Sequence, residues 1–202
     1  ANITYAIVSY ADIKPSEKIL DPFCKSGLVM IEASNKLLNQ SVHKFKKEDF
    51  AFNKLKLGFD LKKFLRSEDL KENKLKLNLF AFDKTNSNVI SAKKNARITE
   101  VDEIINFENR ELTFLSKKFE KKKVDKIITK MPVFKNSMKQ VAKKAYKEFF
   151  HQASILLKKN GKIVILCNLK NIVEETKSNF IIKKKLEVMS GKESLSLYVL
   201  KR

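Results

Sequence analysis

Apolar and polar positions along this 202-residue chain follow two alternating periods. Short apolar runs alternate with stretches in which apolar residues recur every three or four positions. That alternation predicts an α/β fold around a mostly parallel sheet. Ile3, Ala6, Ile7, Tyr10 and Ala11 predict a helix over residues 2–14, broken at Lys14-Pro15-Ser16. Ile19-Leu20 is a short buried strand, and a helix follows from Leu28 to Leu38. Leu75 to Phe82 reads as a second strand ending at Asp83, and Thr85 to Arg97 as a helix with Thr85 or Ser87 as its N-cap. Ile104 to Phe107 and Val124 to Ile128 are the third and fourth strands. A long helix over about 138–158 places Val141, Ala145, Phe149, Ala153, Leu156 and Leu157 on one side. Gly161 then occupies a C-capping position before the strand Lys162 to Cys167. Leu186 to Met189 and Leu195 to Leu200 predict an antiparallel hairpin around Ser190-Gly191. Residues 40–74 read as a charged, irregular insertion. With no internal repeat, long linker or low-complexity tract, the expectation is one domain over residues 1–202.

Composition bounds the function classes. A hydrophobic content of 43% supports one substantial core. No apolar run approaches the roughly 18 to 20 residues that span a bilayer, and no signal-peptide pattern is present, so a membrane partner is not expected. Cys24 and Cys167 lack metal-ligand spacing and read as buried thiols of a cytoplasmic protein. His43 and His151 lie far apart in sequence and suggest neither a catalytic pair nor a metal site. The net charge of +20 is large enough to attract polyanions such as RNA. Arginine occurs only at Arg66, Arg97, Arg110 and Arg202. A lysine excess of this kind, with abundant Asn, Ile and Phe, also fits a bias toward AT-rich codons. The runs at 121–123, 143–144, 158–159 and 183–185 are individually weak signals.

Two segments carry the candidate chemistry. Asp21-Pro22-Phe23-Cys24-Lys25-Ser26-Gly27 follows the first strand and opens the helix at Leu28. Thr129-Lys130-Met131-Pro132-Val133-Phe134 follows the fourth strand. In open α/β sheets, ligands sit at the carboxyl ends of the strands near the point where strand order reverses. A glycine in the turn after the first strand lets backbone approach a ligand closely. A carboxylate ending the second strand commonly accepts hydrogen bonds from a ribose. Asp21, Ser26-Gly27 and Asp83 fit that layout for a nucleoside-containing ligand, and Asp83 equally fits a helix-capping aspartate.

Read together, these segments resemble the catalytic domain of the RNA methylases that act on guanosine N2 of tRNA or ribosomal RNA. Those enzymes are usually joined to an N-terminal THUMP domain. Asp21 to Cys24 with Ile31-Glu32-Ala33 matches the family's DPFCGSGT motif and its helix, and Phe50-Ala51-Phe52-Asn53-Lys54 resembles its FAFEKW element. Phe82-Asp83 with Ala92 and Asn95-Ala96-Arg97 resembles the following strand and helix, and Phe107 to Glu111 the third strand with its acidic residue. The similarity runs over residues 2 to 202, without a THUMP sequence.

The resemblance implies a class I methyltransferase fold, Rossmann-like, with seven strands of which six are parallel and the final one antiparallel. It implies S-adenosylmethionine at the ends of the first two strands and an RNA partner, with a THUMP-type domain supplied by another chain. Asp21, Cys24, Lys25, Ser26 and Gly27 would surround the methionine part, Asp83 the ribose hydroxyls and Glu111 the adenine. Lys130, Met131, Pro132 and Val133 occupy the catalytic NPPY positions, with no metal expected. Lys25 replaces a glycine of the cofactor loop, Leu28 a threonine, Lys130 the asparagine, Met131 the first proline and Val133 the aromatic residue. Asparagine offers a neutral acceptor, whereas lysine offers only donors and a charge. Two readings follow: an RNA methyltransferase with an altered site, and a non-catalytic RNA-binding or assembly module on a degenerate methyltransferase fold. A third is a domain that binds another nucleotide in the same cleft.

Overall fold

The computed structural model describes residues 2–41, 44–45, 54–55, 58, 61–169, 171–191 and 193–202. His43 and residues 50–53 of the FAFEKW-like element lie outside them. In chain order the elements are α1 (Asn2–Ala11), β1 (Lys18–Asp21), α2 (Leu28–Leu38), α3 (Leu61–Asp69), β2 (Asn78–Asp83), α4 (Asn86–Ile98) and β3 (Ile105–Asn109). After a 3-10 turn come α5 (Leu115–Lys118), β4 (Val124–Lys130), α6 (Lys139–Leu156), β5 (Leu157–Cys167), α7 (Ile172–Thr176), β6 (Ile181–Ser190) and β7 (Glu193–Lys201).

The strands form a seven-stranded sheet in the order β3-β2-β1-β4-β5-β7-β6. β1 pairs in parallel with β2 and β4, β2 with β3, and β4 with β5. β7 runs antiparallel to both β5 and β6. Successive strand residues face opposite layers, as the pleat requires. Ile19, Leu79, Ala81, Ile128, Val164 and Leu166 pack with α1, α2 and α4 in one core. Leu20, Phe82, Ile127, Ile163 and Ile165 pack with α5, α6 and α7 in the other. Burial on both faces explains why the central strands read as nearly continuous apolar runs.

The structure departs from the periodicity in particular places. α1 stops at Ala11, where Lys126 and Lys162 donate to the carbonyls of Asp12 and Ala11. These lysines satisfy helix-end carbonyls three residues before the proline break. α6 buries Ala142, Tyr146, Phe149, Phe150 and Ala153, whereas Val141 is 53% exposed. The buried stripe thus differs from the predicted one at its start, using Ala142 and Tyr146 where Val141 and Ala145 were expected, while Phe149, Ala153, Leu156 and Leu157 are buried as predicted. Gly161 is no helix cap, because β5 already begins at Leu157. A Cβ added there would lie 2.3 Å from Leu157 Cγ, so close packing accounts for this glycine. The predicted insertion contains α3. Thr85 is the N-cap of α4 in extended conformation but makes no side-chain cap bond. Asp83 instead fixes the turn before the helix, accepting from Thr85 N–H at 2.9 Å and from the Asn88 side-chain Nδ2 at 3.0 Å. Both strands of the terminal hairpin are longer than the sequence pattern indicated.

Candidate functional site

Strand order reverses between β1 and β4, so the loops leaving Asp21 and Lys130 diverge to opposite sides and leave a crevice. A cavity of about 610 Å³ lies there. Asp21, Cys24, Lys25, Ser26 and Lys130 all line it, together with α1 and Met189 of β6. That volume is within the range of small-molecule sites, roughly 300 to 1,000 Å³. Residues from the two motifs, more than a hundred positions apart, thus face one space.

Asp21 is fully buried. Its Oδ1 accepts from Thr129 Oγ1 at 2.5 Å and from Phe23 N–H at 3.1 Å, while Oδ2 has no hydrogen-bond partner. Burial pushes its carboxyl up to about 7, against the pull of the Thr129 and Phe23 bonds. An orphaned buried carboxylate oxygen is costly unless a ligand satisfies it. Because its folded-state value exceeds the unfolded value of 3.8, folding favours the protonated form. Stability from this group is complete below about pH 4 and is lost as pH rises through about 7. The urea midpoint of the ligand-free protein is therefore expected to fall across that window. In Asp21→Asn the profile should flatten; equal slopes in both proteins would exclude Asp21 as the titrating group.

The loop after β1 is shaped by two left-handed residues. Lys25 has φ 48° and Gly27 has φ 80°. A left-handed conformation costs a non-glycine residue about 1 to 2 kcal/mol, which accounts for a family preference for glycine where Lys25 stands. Lys25 N–H donates to Asp83 Oδ2 at 3.0 Å, and Cys24 N–H to the Phe82 carbonyl at 2.8 Å, fastening the loop to the end of β2. Burial and then the neighbouring Lys130 charge lower the pKa of the Lys25 ammonium. Burial raises that of the Cys24 thiol, making it a poor nucleophile. At Gly27, an added Cβ would meet Ala92 Cβ of α4 at 2.9 Å. Asn95 Nδ2 donates to the Ser26 carbonyl at 2.9 Å from the same helix.

Asp83 is buried and accepts three hydrogen bonds, from Lys25, Thr85 and Asn88. A carboxylate offers about four acceptor positions, so one remains for a ligand hydroxyl. Glu111 is exposed and lies with Lys84, Asn109, Arg110, Phe114 and Lys117 around a separate hollow of about 580 Å³. Glu111 therefore does not line the cavity of Asp21 and Lys130.

At the end of β4, Lys130 is exposed, whereas Met131 is buried and its N–H donates to the Leu166 carbonyl at 2.9 Å. Pro132 is half-buried and Val133 is 58% exposed. Asn168 clamps the loop beyond them, donating to the Phe134 carbonyl at 2.8 Å and accepting from Phe134 N–H at 3.3 Å. Sequence reasoning missed Asn168 and, although it singled out the segment beginning at Thr129, the bond from Thr129 to Asp21, since each acts on a residue distant in sequence. Among the described residues no cluster of His, Cys, Asp and Glu could hold a metal ion, and no helix is long and apolar enough to cross a membrane.

Comparison with known proteins accords with this architecture. Residues 1–198 match the UPF0020 family, described as an RMKL-like methyltransferase domain. A tRNA (guanine(6)-N2)-methyltransferase of Methanocaldococcus jannaschii is 29% identical over 195 residues, covering 95% of this chain and 50% of that protein. One of the same name from Archaeoglobus fulgidus is 27% identical over 170 residues, covering 82% of this chain and 38% of that protein. The chain thus spans about half the length of these relatives or less. Among solved structures, SMU.472 in complex with SAH superposes with a TM-score of 0.84 at 21% identity, covering 99% of this chain and 52% of that one. TrmN from Thermus thermophilus gives 0.72 at 19% identity, covering 99% and 48%. These likenesses establish the class I methyltransferase fold.

Proposed function

This chain belongs to the UPF0020 family of RMKL-like methyltransferase domains, and on that premise we propose that it binds tRNA or ribosomal RNA, holds S-adenosylmethionine in the cleft and methylates guanine N2 only slowly. RNA binding is then its principal activity. The residues fit the amino-acid end of the cofactor. The free Oδ2 of buried Asp21 matches its ammonium, and Lys25 matches its carboxylate. Cys24, Ser26 and Gly27 would supply the surrounding backbone and the remaining acceptor position of Asp83 a contact for a ribose hydroxyl, while Glu111, in its separate hollow, would meet the ligand only if the adenine reached that far. When bound, S-adenosylmethionine supplies an electrophilic methyl group on a cationic sulfur.

The observation that carries the slow reaction is Lys130, facing the same cavity as Lys25. Methyl transfer to an exocyclic amine needs an acceptor that draws its protons and raises electron density on nitrogen. Lys130 has none to offer. Val133 gives no aromatic face for the base, forgoing roughly 1 to 3 kcal/mol of stacking. Buried, unpaired Cys24 and Cys167 suit a reducing compartment, so we place the protein in the cytoplasm. A partner bearing a THUMP-type domain would complement it on RNA.

Titration calorimetry with S-adenosylmethionine and filter binding with unmodified tRNA test this reading separately. Micromolar cofactor binding, with tRNA affinity that falls steeply with salt, is the expected outcome. Absence of heat at millimolar cofactor would remove the cofactor. Salt-independent tRNA affinity would remove phosphate contacts, and guanine N2 methylation at turnover rates ordinary for enzymes, about 1 per second or faster, would overturn the slow step.

A further inference from the structure

Positive charge gathers at the end of the sheet opposite the cavity. Three segments are tied together there: Lys122 N–H donates to the Ile155 carbonyl at 3.0 Å, Val124 pairs with Leu157, and Arg202 Nη1 donates to the Leu157 carbonyl at 2.7 Å. Exposed residues 158–160 lie between the pairings Val124–Leu157 and Lys126–Lys162. The result is one edge carrying exposed Lys121, Lys122, Lys123, Lys158, Lys159, Lys201 and Arg202. Its carboxylates are Glu120, 3.5 Å from Lys123, Asp125, 2.6 Å from Lys158, and Glu17, 2.9 Å from Lys126, with Asp12 acting on Lys162. Lys121, Lys122, Lys159 and Lys201 have no carboxylate partner among the described residues.

β6 connects this edge to the cavity. Ile181 at its start pairs with Lys201, and Met189 near its end lines the cavity. Lys183 is the extra residue between the pairings Ile182–Leu200 and Lys184–Val199, and it is exposed. Lys184 lies over the Tyr10 ring at 4.5 Å, and Lys185 pairs with Glu174 at 2.8 Å. Those two are structurally engaged, which leaves Lys183 free for a polyanion. Codon bias can raise the number of lysines but does not select which loops the fold brings together. Uncompensated like charges on one edge raise the energy of the folded state unless a polyanion meets them.

We propose that the edge formed by the amino ends of β4 and β5 and the carboxyl end of β7, continued by Lys183 on β6, is a second contact surface for the RNA phosphate backbone. β4 has seven residues, so this surface lies about 20 Å from Lys130. An RNA touching both must wrap the β6 side of the domain. The inference rests on the RNA-binding reading above. Its test is tRNA binding across salt concentrations by the full chain and by Lys121→Gln/Lys159→Gln/Lys183→Gln. A control of equal charge, Lys62→Gln/Lys93→Gln/Lys94→Gln, accompanies them. The first triple variant should lose about tenfold in affinity at moderate salt and flatten the slope of log affinity against log salt by about two to three, with the control near wild type. Unchanged melting temperatures would show that both variants fold. If the two triples weaken binding equally, only net charge matters and the surface is refuted; wild-type behaviour of the first triple refutes it too. A wild-type protein that binds phosphatidylserine vesicles but not tRNA would overturn the RNA reading and this surface with it.

Discussion

Lys130→Asn combined with Val133→Tyr is expected to raise guanine N2 methylation of tRNA by at least about a hundredfold. The acceptor is the larger part of the gain. Removing a single preorganised hydrogen-bonding group at a reacting centre costs about 10² to 10³ in rate, and restoring one should return a comparable factor. Charge adds to it: at roughly 5 Å and an effective dielectric near 20, an ammonium beside a sulfonium costs about 3 kcal/mol. Exposed Lys130 can swing toward water and escape part of that repulsion, whereas it cannot become an acceptor. The tyrosine contributes stacking, read as a lower KM for RNA. The measurement is single-turnover transfer of labelled methyl with both proteins saturated in cofactor. Equal rates would show that positions 130 and 133 do not limit the chemistry and would move the defect to Lys25. The single variants separate the two contributions: Lys130→Asn should act on the rate, Val133→Tyr on RNA affinity.

Gly27→Ala is expected to lower stability by about 2 to 5 kcal/mol, combining a left-handed backbone penalty with overpacking. The geometry is unusually clear. Gly27 sits at φ 80°, and the new methyl would lie 2.9 Å from Ala92 Cβ and 3.2 Å from Ala92 Cα, a buried residue of a packed helix. Gly191→Ala is the matched control, with φ 61° and nothing within 4 Å of the added atom. It should lose only the backbone part, about 1 to 2 kcal/mol. For a chain of this size the Gly27 variant should melt about 10 °C lower, since each kcal/mol shifts the midpoint by roughly 2 to 4 °C. Equal losses at both glycines would mean that α2 and α4 separate freely, and the loop after β1 would then not be held as rigidly as a ligand cradle requires.

Much of the fold was legible because parallel strands buried on both faces leave uninterrupted apolar runs, and all seven strands were found from them, although β5 and β6 each begin five residues earlier than the pattern indicated. α6 shows where such reading weakens. Its sequence offers apolar residues at both 141 and 142, and only packing against the sheet selects Ala142 and leaves Val141 in solvent. Gly161 looked like a cap because glycine after a helix commonly is one; the side chain of Leu157 is what requires it. The site was legible through Asp21 and Lys130, which end adjacent parallel strands and must therefore converge. Glu111 illustrates the opposite case: a family position is recoverable from sequence, but its separation from the main cavity is a matter of three-dimensional placement. Polar groups that hold the site, Thr129 under Asp21 and Asn168 across from Phe134, carry no periodic signal at all.

The position of β7 has a bearing on how the chain folds. β7 lies between β5 and β6, and β6 reaches the sheet only through it. Until residues 193–201 arrive, β5 has one neighbour and β6 has none. A chain emerging from the ribosome therefore carries an open, apolar β5 edge from the completion of β5 at Cys167 until β7 follows, and a sheet exposed in that way is prone to mispairing. Lysines along β6 keep the finished edge from recruiting another strand, but they cannot protect β5 in the interim. Truncations a few residues into β7 should behave as folding defects rather than as trimmed but functional domains.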